Sequence, residues 1–207
     1  MKAVITGDVV NSRKAGRSDE WLIALKEELK RVGDRPTTWE VYRGDSFQLI
    51  LEDPRQAFRQ AMILKARLRQ FNGLDLRMGI GIGKVSIRSE RITESQGSAF
   101  SRSGDAFDLL EERRGRTLIL TEEDELNRTL NLMLRWISIT VDHWSVVSAE
   151  MTWNVLLDPD RSQMEWAKEL GIRQSSVSER FQRARIDEIM ETDTYFRERI
   201  NALILHS

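Results

Sequence analysis

Residues 161–184 read RSQMEWAKELGIRQSSVSERFQRA. Apolar residues that a pair of helices could bury lie on both sides of Gly171: Trp166, Ala167, Leu170, Val177, Phe181 and Ala184. The last three have the i, i+4, i+7 spacing of one helix face. Because glycine adopts the left-handed conformation without a steric penalty, Gly171 can turn the chain between two helices, and the small Ala167 lets them cross closely. The segment predicts a helix-turn-helix.

The opposite face of the second predicted helix is polar and basic. Its candidate DNA-binding residues are Arg173, Gln174, Ser175, Ser176, Ser178, Arg180, Gln182 and Arg183. Side chains of these types contact base edges and phosphates in the major groove of DNA, so we predict that this face binds DNA. The alternative is an ordinary helical hairpin whose polar face is solvated.

The change of pattern near Thr121 predicts two domains in the 207 residues, 1–120 and 121–207. Before that point, short β-branched runs alternate with helical patterns; after it, the pattern is almost wholly helical. A content of 40% hydrophobic and 31% charged residues is that of an ordinary globular protein. A net charge of −1 argues against a protein that coats nucleic acid through bulk charge.

Composition also limits which metal ions the chain could bind and which cellular compartment it suits. The chain has no cysteine, and its two histidines, His143 and His206, are too far apart in sequence to suggest a zinc site. A bound metal would therefore sit on carboxylates, which favours Mg²⁺ or Mn²⁺. The start MKAVITGDVV lacks the apolar core of a signal peptide, and no apolar run has the length of a membrane span. We expect a cytoplasmic protein that does not contact membranes.

The first 120 residues predict an antiparallel-rich α+β sheet with helices on one face. The predicted order begins with a strand over 2–5, a helix with Ser18 as N-cap and a hairpin over 37–53 with its turn at 43–46. A helix from 53–54 to 72–73 and a strand over 76–87 follow. A polar loop around 90–96 then leads to a helix over 103–113 and a strand over 117–120. Alternate glycines in the fourth strand indicate close approach by a backbone or a ligand, or bulges. From 121 to 157 we predict two helices with a break near 140–143.

Two aspartates are the candidate metal ligands. Asp8 follows the first predicted strand and Asp45 lies at the hairpin tip, so adjacent strands would bring both carboxylates to one end of the sheet. Such a pair can hold Mg²⁺ or Mn²⁺ against nucleotide phosphates. The candidate nucleotide-binding residues are Arg43, Gly44, Arg77 and Lys84. Three interpretations stay open: inert turn residues, a nucleotide sensor, and a nucleotidyl-transfer enzyme.

Two stretches carry a family resemblance. Residues 5–13, ITGDVVNSR, resemble the start of SatD family proteins. A tryptophan-containing helical segment followed by an Ala…Leu-Gly-Ile…Gln-Ser…Val-Ser run is similar to the carboxy-terminal part of that family, and also to the helix-turn-helix that ends bacterial sigma factors. The matching residues are Trp144, Ala167, Leu170, Gly171, Ile172, Gln174, Ser175, Val177 and Ser178.

The amino-terminal part also resembles the palm-like, ferredoxin-like domain of class III nucleotide cyclases. The matching pieces are Asp8-Val9, Gly44-Asp45, Arg77-Met78-Gly79-Ile80 and Gln96-Gly97-Ser98-Ala99-Phe100. The resemblance implies a metal-dependent nucleotide site at the two aspartates. Val41 stands where these cyclases have a base-reading lysine, and Ser101 and Asp105 stand where they have the asparagine and arginine that stabilise the transition state. Phosphoryl transfer needs positioned positive charge, so these departures argue against standard cyclase activity.

The leading hypothesis is a DNA-binding transcription regulator whose amino-terminal domain forms a homodimer and senses a nucleotide. The alternative is a magnesium-dependent nucleotide enzyme with an accessory helix-turn-helix. A third hypothesis is a helical tail that binds a protein through its tryptophans. Three of these, Trp136, Trp144 and Trp153, are expected to pack in the core between connector helices.

Overall fold

Strands and helices alternate over the first part of the chain, and helices alone follow. The computed structural model describes residues 1–14, 20–87, 91–113 and 115–206. The strands are β1 (Lys2–Val10), β2 (Trp39–Tyr42), β3 (Ser46–Leu51), β4 (Asp75–Gly83) and β5 (Thr117–Leu120). The helices are α1 (Glu20–Val32), α2 (Ala57–Leu68), α3 (Ser98–Arg113), α4 (Asp124–Val141), α5 (Val146–Leu157), α6 (Gln163–Leu170), α7 (Gln174–Ala184) and α8 (Ile186–Leu205). The fold is α+β, as predicted. Two positions of the predictions lie outside the described residues: Ser18, the predicted N-cap, and Glu90 of the predicted loop.

The sheet has the strand order β2-β3-β1-β4-β5. β1 is antiparallel to both β3 and β4, β2 is antiparallel to β3, and β5 is parallel to β4. From β1 to β4 the elements follow the split β-α-β pattern, with β1 between β3 and β4. The predicted end of β1 at Thr6-Gly7 is wrong. Gly7 stays in the ladder opposite Phe47, whose ring would lie 2.7 Å from a Cβ at this position, so close packing and not a turn requires the glycine.

The glycines of β4 bring α3 against one face of the sheet. A Cβ at Gly79 would lie 2.3 Å from the carbonyl oxygen of Ser103, and a Cβ at Gly81 would lie 2.1 Å from that of Ala99. The close approach predicted at these glycines is therefore made by the backbone of a helix. That helix begins at Ser98, five residues earlier than predicted.

Helices α1 and α2 cover the opposite face, so the prediction that the helices share one face is wrong. Side chains alternate between the two faces of the sheet along β1, and each face has buried apolar residues. Ala3, Ile5 and Val9 belong to the main buried cluster with α1 and α2. Val4 belongs to a second cluster with Ala99 of α3.

The main apolar cluster continues from the sheet into the carboxy-terminal helices. Phe58 of α2 packs against Phe196 of α8, with ring centroids 5.9 Å apart. Trp144 and Val155 belong to the same buried cluster as Ile5 of β1. The two predicted domains thus share a hydrophobic core.

The predicted break between the two connector helices is confirmed. α4 ends at Val141, and Ser145 caps α5 by accepting a hydrogen bond from the backbone N–H of Ser148 (3.2 Å). Trp144 is buried in the corner between them, as predicted, but Trp136 is 68% exposed, so the prediction that it packs in the core is wrong. Among the described residues, no helix is long and apolar enough to cross a membrane.

Candidate functional site

Helix α6 and the turn after it are held by local hydrogen bonds. At the start of α6, Ser162 and Glu165 form a capping box, in which each side chain bonds the other residue's backbone N–H. At its end, Gly171 adopts the left-handed conformation with φ of 63°, as the sequence predicted. The backbone N–H of Ile172 donates to the carbonyl of Ala167 (3.1 Å). The direction in which the chain enters α7 is therefore fixed by α6.

Helix α7 buries one side and presents the other to solvent. Val177, Phe181 and Ala184 are buried, as the i, i+4, i+7 spacing predicts. The predicted DNA-binding residues that are exposed are Arg173, Gln174, Ser175, Gln182 and Arg183. The predicted residues that are half-buried are Ser176, Ser178 and Arg180. The structure therefore brings the predicted set together on and beside the outer face of α7.

The first residues of α6 and α7 lie side by side. The side-chain amide of Gln174 donates a hydrogen bond to that of Gln163 (3.0 Å), which ties the two helix starts together. Arg173 at the N-cap of α7 makes no side-chain capping bond, so no capping side chain occupies the first-turn N–H groups, of which that of Ser176 donates to the carbonyl of Arg173 (3.0 Å). The positive end of the helix dipole adds to this, and both favour an anion at the helix start.

Arg183 of this surface is held by a weak, exposed contact. Arg183 lies 3.4 Å from Glu179 one turn earlier in α7, and both side chains are mostly exposed. An exposed pair of this kind contributes at most about 1 kcal/mol, so a phosphate could replace Glu179 as the partner. Arg161 is different, because its guanidinium stacks on Trp166 and pairs with Glu169.

A second polar site lies where β1 meets the β2–β3 hairpin. Asp8 pairs with Ser46 across the sheet, and the backbone N–H of Val9 donates to the carbonyl of Asp45 (3.0 Å). The predicted convergence of Asp8 and Asp45 at one end of the sheet is therefore present. Both line an open cleft of about 460 Å³.

The two carboxylates of this cleft already have partners. Arg77 of β4 holds both oxygens of Asp8, through its Nε (3.0 Å) and a terminal nitrogen (2.5 Å). This hydrogen-bonded pair raises the pKa of Arg77 above its usual value. Asp45 accepts a hydrogen bond from the Ser12 hydroxyl (2.7 Å). The described residues contain no group of three His, Cys, Asp or Glu side chains that could hold a metal ion. Because Arg77 holds both oxygens of Asp8, a metal ion on Asp8 would have to displace Arg77.

The predicted nucleotide-binding residues do not all reach this cleft. Arg43 and Gly44 form the hairpin turn beside it. Lys84 follows the far end of β4, about 23 Å from Arg77 at the usual rise of a strand. Two arginines that sequence reasoning did not select, Arg13 and Arg116, line the cleft instead. Their positions depend on strand pairing, which no local motif in the sequence reveals.

Comparison with known proteins gives one match. The model of the SatD family matches residues 2–205. The chain belongs to the SatD family. No curated protein and no solved structure matches it.

In this SatD family member, buried charges connect the cleft with the corner between α4 and α5. Lys65 of α2 is fully buried and donates to the carboxylate of Asp75 (2.6 Å). The same ammonium group lies 2.7 Å from the carboxylate of Asp142, directly after α4. Arg116 of the cleft lies 3.8 Å from Asp75, so the charges form one continuous group.

The corner also contacts the end of α7. The guanidinium of Arg69, 3.9 Å from Asp75, donates to the backbone carbonyl of Trp144 (2.6 Å). The buried indole N–H of Trp144 in turn donates to the carbonyl of Ala184, the last residue of α7 (3.1 Å). A contiguous set of polar contacts therefore runs from the cleft of this SatD family chain to the end of α7.

Proposed function

We propose that the chain is a DNA-binding transcription regulator whose helix α7 enters the major groove. The observation that supports this most directly is that α7 has an apolar and a polar side. It buries Val177, Phe181 and Ala184 and exposes glutamine, serine and arginine side chains. Amide side chains read adenine edges, guanidinium groups read guanine or bind phosphate, and hydroxyl groups contact either bases or phosphates. The turn at Gly171 joins α6 to α7, and in the proposed helix-turn-helix α6 crosses the DNA backbone while α7 lies in the groove.

Each residue of this face has a distinct proposed role. Gln174 and Gln163, hydrogen-bonded at the two helix starts, position the backbone N–H groups of α7 against a phosphate. Arg173 binds the phosphate beside them. Gln182 and Arg183 lie further along the exposed face, where they contact base edges and the opposite strand. With three arginines against Glu179, the segment 173–184 is only mildly basic, so sequence-dependent contacts contribute much of the affinity.

The proposal is tested by fluorescence anisotropy of labelled duplex DNA of mixed sequence, titrated with protein at several salt concentrations. Arg173→Ala and Arg183→Ala each remove one guanidinium from the α7 surface. We expect weaker binding, and a slope of log K against log salt that falls by about 0.9 for each phosphate that the variant no longer neutralises. Arg199→Ala, at an exposed position of α8, is the matched control and should leave both quantities unchanged.

Two results would overturn DNA binding through α7. The first is affinity for duplex DNA that does not change with salt concentration in the wild type. The second is equal weakening by Arg199→Ala and Arg183→Ala, since bulk charge and not the α7 face would then be responsible. If binding is confirmed, selection from a random-sequence duplex pool identifies the recognised site.

A second candidate function is nucleotide sensing in the cleft at the end of β1. The observation that favours it is the convergence of Arg13, Arg77 and Arg116, which could bind phosphate oxygens. Because Arg77 covers Asp8, the cleft fits an anion better than a bare divalent ion. In this version, the amino-terminal part has the layout of a cyclase-like domain but binds a ligand without a reaction. Lys65 and its partners would then carry the effect of ligand binding to α7.

A thermal-shift panel of nucleoside triphosphates and cyclic nucleotides, with and without Mg²⁺ or Mn²⁺, separates three versions of this second candidate. An anion site predicts metal-independent stabilisation that Asp8→Asn increases, because Arg77 is released, and that Arg13→Ala decreases. A metal site predicts metal-dependent stabilisation that Asp8→Asn abolishes. A nucleotide enzyme predicts a product from ATP or GTP that disappears with Asp45→Asn. A flat panel would remove nucleotides from the proposal and leave DNA binding untouched.

A further inference from the structure

Helix α4 carries a second apolar face that nothing in the described chain covers. Its inner face, Leu126, Leu130 and Leu134, belongs to the main core. Three large apolar residues on its outer face, Leu132, Trp136 and Ile139, are 48%, 68% and 62% exposed. Single exposed apolar residues are ordinary, whereas three on one line of a helix mark a contact surface.

The spacing along this outer face is that of a coiled-coil seam. Counting from the start of α4, the seam positions are Glu125, Thr129, Leu132, Trp136 and Ile139, and His143 continues the spacing two residues after the helix ends. Successive positions are four, three, four, three and four residues apart, which is the alternation of heptad a and d positions. The centre of the seam is apolar and both of its ends are polar. A seam with this pattern needs another helix against it, and α1, α2 and α5–α8 leave it exposed.

We propose that a second copy of this chain packs its α4 against this seam in the antiparallel direction. An antiparallel pair centred on Leu134 places Leu132 of each copy beside Trp136 of the other, and Thr129 beside Ile139. It also places the polar ends of the seam together, with Glu125 of each copy beside His143 of the other. The surface is therefore complementary to itself, as a two-fold interface must be.

Charge argues against the parallel arrangement and in favour of the antiparallel one. In a parallel pair each seam residue would meet its own copy, so Glu125 would face Glu125 at one end. Two carboxylates in that position repel each other, and the exposed Arg128 beside each Glu125 (3.7 Å) weakens this repulsion without placing a cation in the seam itself. At the other end, His143 would face His143.

A groove next to the seam adds to the surface that a partner helix could contact. It has a volume of about 350 Å³ and lies between α4 and α8, with Trp136 and Ile137 on one wall and Ile189 on the other. Arg185 and Glu188, paired at 3.1 Å, line the same groove. Because Arg185 follows directly after α7, the proposed dimer brings the seam close to the base of both α7 helices. The proposed dimer contact on α4 differs from the sequence prediction, which placed dimerisation in the amino-terminal domain.

The dimer is tested without DNA, so its outcome is independent of the proposed function. Sedimentation velocity over a range of concentrations should show reversible dimers for the wild type. Trp136→Glu should weaken association more than about tenfold, because a buried tryptophan in a small interface is a typical hot spot. Ile23→Glu, at a 56% exposed position of α1, is the matched control and should associate like the wild type. Circular dichroism confirms that both variants fold.

The orientation is tested by disulfide cross-linking, which is clean because the chain has no cysteine. An equilibrated mixture of the Glu125→Cys and His143→Cys proteins should give cross-linked heterodimers, whereas each protein alone should give almost none. Cross-linking of each protein with itself would overturn the antiparallel arrangement. A wild type that stays monomeric at all concentrations, or an Ile23→Glu variant that loses association equally, would overturn the α4 interface.

Discussion

Replacement of Gly81 by alanine tests the contact that places α3 on the sheet. A Cβ at Gly81 would lie 2.1 Å from the carbonyl oxygen of Ala99 and 2.3 Å from the backbone nitrogen of Ser103. Ordinary van der Waals contact begins at 3.4 Å, so these atoms have to separate by more than 1 Å. The close atoms belong to helix backbone, and a side-chain rotation cannot relieve them. α3 must therefore move away from β4 as a unit.

The size of the effect follows from what that movement breaks. Overpacking in a core costs about 1–3 kcal/mol, and a gap of about 1 Å along the rest of the helix forfeits up to half of the dispersion energy there. The hydrogen bond between the hydroxyls of Thr6 and Ser103 (3.0 Å) would lengthen as well. We expect Gly81→Ala to lower the free energy of unfolding by about 3 kcal/mol or more.

A matched glycine in the same helix predicts the opposite sign. For Gly104 of α3, no described atom lies within 4 Å of the position of a Cβ. Gly104→Ala should therefore raise the free energy of unfolding by up to about 1 kcal/mol through helix propensity. Urea unfolding followed by circular dichroism measures both variants against the wild type. A Gly81→Ala protein within about 0.5 kcal/mol of the wild type would refute the argument, since substitutions away from tight packing usually change stability by no more than that.

Two further predictions concern buried charges. Lys65→Met leaves the carboxylates of Asp75 and Asp142 without their shared ammonium group, and should lower the free energy of unfolding by about 3–5 kcal/mol, or Tm by about 6–20 °C. Lys30→Met, at an exposed position of α1, is the control and should change Tm little. Equal Tm values for the two variants would contradict the argument. Burial raises the pKa of Glu28 above 4.5 although nearby arginines lower it, so the folded chain binds more protons there than the unfolded chain and loses stability as pH rises through that raised pKa. Glu28→Gln should remove this loss. The free energy of unfolding of the variant should therefore rise relative to that of the wild type from acid to neutral pH, and a difference that does not change with pH would contradict the argument.

The sequence predicts elements well where local chemistry determines them. The turn at Gly171, the hairpin at residues 43–46 and the break before Ser145 each depend on residues within one turn of the chain. Long-range pairing is less accessible. Asp8 and Asp45 meet as predicted, but Arg77 covers Asp8 because the β1–β4 register places the two residues opposite each other. Nothing within the local sequence around residue 77 encodes that register.

Burial is the second quantity that the sequence leaves open. Trp136 and Trp144 lie on similar helical patterns and carry the same side chain, yet one is exposed and the other is buried. The reason is that α4 has apolar residues on two faces, and only one face can pack on the sheet domain of the same copy. Periodicity identifies both faces but does not say which of them the chain covers itself. Lys84 lies away from the cleft because strand β4 is long enough to separate residues that are near in sequence.

The shared core bears on how a ligand in the cleft could influence DNA binding. A ligand shifts an equilibrium only by its difference in affinity between two states, so an anion that takes Arg77 from Asp8 must favour one arrangement of the neighbouring charges. Arg116 is the member of the cleft that also approaches Asp75, and Asp75 shares Lys65 with Asp142. Arg116→Ala should therefore reduce any effect of the ligand on DNA affinity while DNA affinity without ligand is kept. If the ligand effect survives this substitution, the coupling runs through the apolar core and not through the buried charges.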